Sequence, residues 1–109
     1  MKNILSRPFR STLDLEDLFQ AVQGIPDMTW SKRESEYDDI YIRGTNTRGI
    51  KVRIVDDGPV NYVGVYFPTG VDPEHPLMPD VEKATFLDRL ARDLQRVDPS
   101  SKFVADDWS

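Results

Sequence analysis

Apolar and polar residues alternate with a period of two from Tyr37 to Phe67. One set reads Ile40, Ile42, Ile50, Val52, Ile54, Val63, Val65 and Phe67. The other reads Tyr37, Asp39, Tyr41, Lys51, Arg53, Tyr62 and Tyr66. Successive side chains of a strand point to opposite faces, so this pattern predicts a sheet with one face on a core and one in water. Strands are expected at about 37–43, 50–55 and 60–67, preceded by one at 28–32 carrying Met28 and Trp30.

The turns follow from the same pattern. Gly44 and Gly49 bracket a polar loop with two conformationally free ends. Asp56-Asp57-Gly58-Pro59 makes the next turn. Pro59 lacks an N–H, which favours a four-residue loop between Val55 and Val60 over a two-residue one. Pairing Val52 with Val63 and Ile42 with Ile50 keeps both faces consistent. It sets Asp39 opposite Arg53 and Tyr41 opposite Lys51, both favourable cross-strand pairs.

Two helices flank these strands. Leu15, Leu18, Phe19 and Val22 recur at i, i+3, i+4 and i+7, the stripe of an amphipathic helix over 14–23. Asp14 is its N-cap, Leu13 and Leu18 occupy the hydrophobic-staple positions, and Gly24 with Pro26 ends it. Ala84, Leu87, Leu90, Ala91 and Leu94 form the stripe of a second helix over 80–97. Asp80 is its expected cap and Asp98-Pro99 its stop. Residues 68–79 contain four prolines and read as a stiff loop. Residues 1–12, with Pro8 and few apolar anchors, read as a flexible N-terminal arm, and 13–109 as a single domain. Phe103-Val104-Ala105 is a candidate edge strand. The expected fold is α+β: a four-stranded antiparallel meander with both helices on one face, in the order α-β-β-β-β-α.

Composition narrows the function classes. The chain has 109 residues and no cysteine, which excludes disulfides, iron–sulfur ligation and thiolate-held zinc. That suits a reducing compartment, and a cytoplasmic location is expected. Neither a signal-peptide pattern nor a run of about 20 apolar residues occurs, so no membrane role is expected. The net charge is −5, which disfavours non-specific binding to nucleic acid.

Candidate chemistry is sparse. His75 is the only histidine. Asp72, Glu74 and His75 could share a cation and support metal-assisted hydrolysis, but their spacing matches no EF-hand and suits a solvated loop. Gly44 and Gly49 have the spacing of a phosphate loop, yet Ile50 stands where lysine is required. No G-x-S-x-G elbow is present. No catalytic residue, cofactor or metal is therefore assigned.

The polar sheet face is more promising. Tyr37, Tyr41, Tyr62 and Tyr66 with Arg43, Lys51 and Arg53 combine residue types enriched in protein-binding hot spots. From Asp56 to Glu82 the chain carries six carboxylates, including Asp57, Asp72 and Glu74, and no lysine or arginine. An acidic rim of this kind would steer the chain onto a basic protein. The expected function is a non-enzymatic inhibitor or immunity-type module, monomeric or homodimeric, using Asp56, Asp57, Asp72, Glu74 and the Tyr/Arg face. A dimeric secretion chaperone or adaptor and a hydrolase built on Asp72, Glu74 and His75 are the alternatives.

Overall fold

The computed structural model describes residues 1–35 and 40–109. It contains two helices and one antiparallel sheet of six strands, where four were expected. In chain order the elements are β1 (Ile4–Arg10), α1 (Leu15–Val22), β2 (Thr29–Glu34), β3 (Ile40–Thr45), β4 (Lys51–Asp57), β5 (Val60–Tyr66), α2 (Asp80–Val97) and β6 (Lys102–Phe103). The sheet order is β2-β3-β4-β5-β1-β6.

Strands β2 to β5 form a meander, and the two additional strands come from the chain's first and last segments. Residues 4–10, expected in a loose arm, form β1 and pair with β5 from Ile4↔Tyr66 to Phe9↔Asn61. Pro8 argued against a strand because it cannot donate to a ladder. It is tolerated because its carbonyl accepts from Val104 N at 2.9 Å. In an antiparallel strand a residue's N–H and C=O point the same way. The missing donor thus falls toward β6, which is two residues long, and takes nothing from β5. Beyond β6, Ser6 and Ser109 exchange hydrogen bonds of 2.9 and 3.0 Å, so the last residues track β1.

Both hairpin registers differ from expectation. Ile42 faces Ile54, and Arg43 faces Arg53. Val52 faces Val65, and Arg53 faces Gly64. The slips are four and two residues, both even, so every side chain keeps its face. The β3–β4 slip has a clear cause. Gly44 is a strand residue, not a loop residue: a Cβ there would stand 2.6 Å from the Trp30 ring. Its absence lets that ring lie on the sheet. The turn is organised instead by Asn46, whose Oδ1 accepts from Arg48 N and Ile50 N at 3.0 Å each. At β4–β5 the loop is two residues, with Asp57 opposite Val60. Gly58 has φ +84°, and proline holds φ negative, which defines a type II′ turn. Pro59 is its second central residue, where no ladder donor is needed. The expected Asp39–Arg53 pair lies outside the described residues.

Most of the apolar set of the alternation is buried as expected, the exception being Ile40 at the start of β3, which is 50% exposed. Ile42, Val52, Ile54, Val63, Val65, Leu5 and Phe9 form one core with Leu18 and Val22 of α1 and Leu87, Leu90 and Leu94 of α2. The capping of α1 is as read from the sequence: Asp14 accepts from Asp17 N at 2.8 Å. For α2 the N-cap is Pro79, and Asp80 is the first helical residue.

Asp98, just past α2, is only 2% exposed. It accepts from the hydroxyls of Ser11 (2.5 Å), Ser100 (2.6 Å) and Ser101 (2.7 Å), and from Ser100 N (3.1 Å). Burial alone would raise its pKa. The hydrogen bonds from Ser100, Ser11 and Ser101 outweigh burial and hold the carboxyl below its usual range. One carboxylate thereby joins the end of α2 to the β1–α1 connection and to the tail.

Candidate functional site

The outward positions of β2 through β5 and β1 form a surface on which no described residue is buried. Alternation places Arg33, Tyr41, Arg43, Lys51, Arg53, Tyr62 and Tyr66 there together. The registers fix their neighbours: Arg33 faces Tyr41, Arg43 faces Arg53, and Lys51 faces Tyr66. The Arg53 guanidinium lies 4.0 Å from the Tyr41 ring centroid, a cation–π stack that holds both side chains in place. Tyr66 leans over Gly64: a ring carbon lies 3.6 Å, and Oη 3.9 Å, from where a Cβ of Gly64 would stand. The result is a shallow depression of about 280 Å³ lined by Tyr41, Arg43, Lys51, Arg53 and Tyr66.

This surface is cationic on an acidic chain. Arg33, Arg43 and Lys51 make no ion pair with any described residue. Among the described positions of this face, the only carboxylate is Asp57, at the hairpin tip four residues along β4 from Arg53. That is roughly 13 Å at the rise of a strand. Arg33 was not singled out from the sequence, although Thr29, Ser31 and Arg33 continue the outward alternation. Tyr37 lies outside the described residues.

The acidic residues are not brought together into one rim. Asp56 and Asp57 occupy the β4–β5 tip. Asp72 and Glu74 sit at the other end of the strands, where the His75 ring packs on Gly49. Their neighbours at that end are partly neutralised: Glu82 pairs with Arg48 at 3.4 Å, and Asp80 lies 3.8 Å from Lys83. The two poles are separated by the length of β4, about 20 Å. The run of six carboxylates is continuous in sequence only.

The loop after β5 does converge. Asp72 Oδ1 accepts from Glu74 N at 3.0 Å, and its carbonyl accepts from His75 N at 3.0 Å. Side-chain ligand atoms of Asp72, Glu74 and His75 lie within 4.8 Å of one another. Two carboxylates and an imidazole at that spacing can hold a hard divalent cation or exchange a proton. The neighbouring cleft, about 650 Å³, is lined by Asp72 and His75 on one side and by Lys51 and Tyr66 on the other. It holds no serine and, like the whole chain, no cysteine.

No helix among the described residues is long and apolar enough to cross a membrane. No known family model matches the chain, and no curated protein is significantly similar to it.

Proposed function

We propose that this protein is a small non-enzymatic binding module of the inhibitor or immunity type, acting in the cytoplasm and engaging a partner protein through its open sheet face. The observation that carries the reading is the asymmetry of the sheet. One face is sealed by both helices, while the other displays three tyrosines and five cations (Arg10, Arg33, Arg43, Lys51 and Arg53) with no described element over it. Tyrosine and arginine offer large contact area and multiple donors at low entropic cost, which is why they dominate binding hot spots. The Arg53–Tyr41 stack and the Tyr66–Gly64 contact fix two of these rings before any partner arrives.

The same charge distribution favours a monomer over a symmetric dimer through this face. A two-fold axis would set Arg43 and Lys51 against their own copies, and like charges in an interface are repelled. The experiment is affinity capture with the wild-type chain and with an Arg43→Ala/Tyr66→Ala variant, read by mass spectrometry. A partner held by the wild type and weakened at least about tenfold by the variant supports the reading. A partner held equally by both overturns it.

The convergence of Asp72, Glu74 and His75 supports a second reading, a cation-assisted hydrolase. Its test is calorimetric titration with manganese, zinc and calcium. Heats that vanish in Glu74→Ala/His75→Ala would support it, and identical heats in both proteins would dismiss it.

A further inference from the structure

We propose that the cleft between α2 and the two loops beside it binds a small zwitterion with an apolar body, the chemistry of a free aromatic α-amino acid. The site shares no residue with the open sheet face and goes beyond the binding-module reading.

The walls of the cleft are built before any ligand arrives. Ile25 and Met28 come from the α1–β2 connection, Thr47 and Arg48 from the β3–β4 turn, and Phe86 and Leu90 from α2. Ile25 and Leu90 are buried and form its floor. The Phe86 ring stands edge-on to Phe67, with centroids 5.9 Å apart, which fixes its orientation. Two clasps hold the loops to the helix. Arg96 donates to the Gly24 carbonyl at 3.0 Å and to Asp93 at 3.3 Å. Arg48 donates to Glu82 at 3.4 Å. The cleft holds about 260 Å³. Drug-sized ligands occupy roughly 300–1,000 Å³, so a nucleotide is too large for it and an amino acid is not.

Charge selects the ligand. The clasps engage Arg48, Glu82, Asp93 and Arg96 within the chain. Two further charged side chains line the cleft, Asp27 on the loop and Arg89 on α2. Neither makes a hydrogen bond or ion pair with any described residue. A purely anionic ligand would meet Asp27, and a purely cationic one would meet Arg89. A zwitterion suits both. Its ammonium donates to the Asp27 carboxylate, and its carboxylate accepts from the planar fork of Arg89. Its side chain then covers Phe86 and Met28, whose ring and thioether both suit an aromatic partner.

The backbone at Asp27 points the same way. Its φ is +65°, the only positive value on a non-glycine residue among the described ones. Pro26 before it completes the pattern of a type II turn, whose third position ordinarily takes glycine or asparagine. Aspartate costs more than glycine in that conformation, and it keeps a carboxylate at the cleft. Backbone strain of this kind gathers at binding sites.

The test is an amide-resolved NMR titration of the isotope-labelled chain with L-phenylalanine. The controls are N-acetyl-L-phenylalanine, which lacks the ammonium, L-phenylalanine amide, which lacks the carboxylate, and glycine, which lacks the apolar body. Saturable shifts are expected at the amides of Asp27, Met28 and Arg89, with each control at least about tenfold weaker. Asp27→Asn and Arg89→Gln should each weaken L-phenylalanine about tenfold. Their melting temperatures should be unchanged, since both side chains are exposed. No saturable shift with millimolar L-phenylalanine, or shifts that map away from the cleft, overturn the inference. Equal binding by any control, or full affinity in both folded variants, also overturns it. Arg43→Ala/Tyr66→Ala should leave this titration unchanged, so the inference and the open-face reading fail separately.

Discussion

The two faces of this sheet are built from the same strands and differ only in which alternate residues they present. On one face, Phe9, Ile42, Val52 and Val65 are fully buried, and a glycine at position 44 gives way to a tryptophan ring. Those positions are chosen by packing. On the other face Arg43 opposes Arg53, and a glycine at position 64 is covered by a tyrosine from its own strand. Packing does not ask for that arrangement. A residue pattern that stability does not explain is where function is best sought.

Substitutions on the two faces should therefore behave in opposite ways. The largest effect is expected from Phe9→Ala, which empties a fully buried site shared by β1, the core and Phe103. A loss of about 3–5 kcal/mol is expected in denaturant unfolding. Gly44→Val tests the same face by overpacking. With Trp30 at 2.6 Å from the new Cβ, a loss of about 1–3 kcal/mol or more is expected. A mild effect of Gly44→Val would mean that Trp30 does not rest on the sheet as described.

Asp98 belongs to neither face and sharpens the rule that a buried charge needs full satisfaction. Asp98→Ala leaves the hydroxyls of Ser11, Ser100 and Ser101 without their acceptor and should cost about 1–3 kcal/mol. The pH dependence has a definite sign. Because the folded-state pKa is lowered, the contribution is present above the unfolded value of about 3.9. It is lost as pH falls below that value through the folded one. Acid unfolding of Asp98→Asn should show less of this dependence. The smallest effect is expected on the open face. Arg43→Thr should leave stability unchanged within about 0.5 kcal/mol, because Arg43 makes no ion pair with any described residue. A loss above about 1 kcal/mol would show that Arg43 belongs to the packing and would undo the contrast between the faces.

The legibility of this chain has a physical pattern. Face assignment was readable because alternation has a period of two, and even slips of four and two residues preserve it. Register was not readable, because it depended on whether Gly44 served a loop or a tryptophan ring, a choice made by a residue 14 positions away in sequence. The first strand was hidden by Pro8, whose acceptability depends on which neighbour its missing donor faces. Site residues on the open face followed from alternation, and Arg33 was recoverable by the same rule. The acidic rim was misjudged because proximity in sequence was taken for proximity in space, and the length of β4 separates Asp57 from Asp72.

The two margins of the sheet are protected by different means. On the β1 side, residues 102–109 run alongside and occupy backbone groups, through β6 and the Ser6–Ser109 exchange. On the β2 side no described residue runs alongside, and the exposed residues there are Thr29, Lys32, Arg33 and Glu34. Charges on a bare margin oppose the addition of a foreign strand and the growth of stacked aggregates. Removing residues 104–109 would uncover the backbone of β1 around Ser6, and aggregation should then begin at that margin.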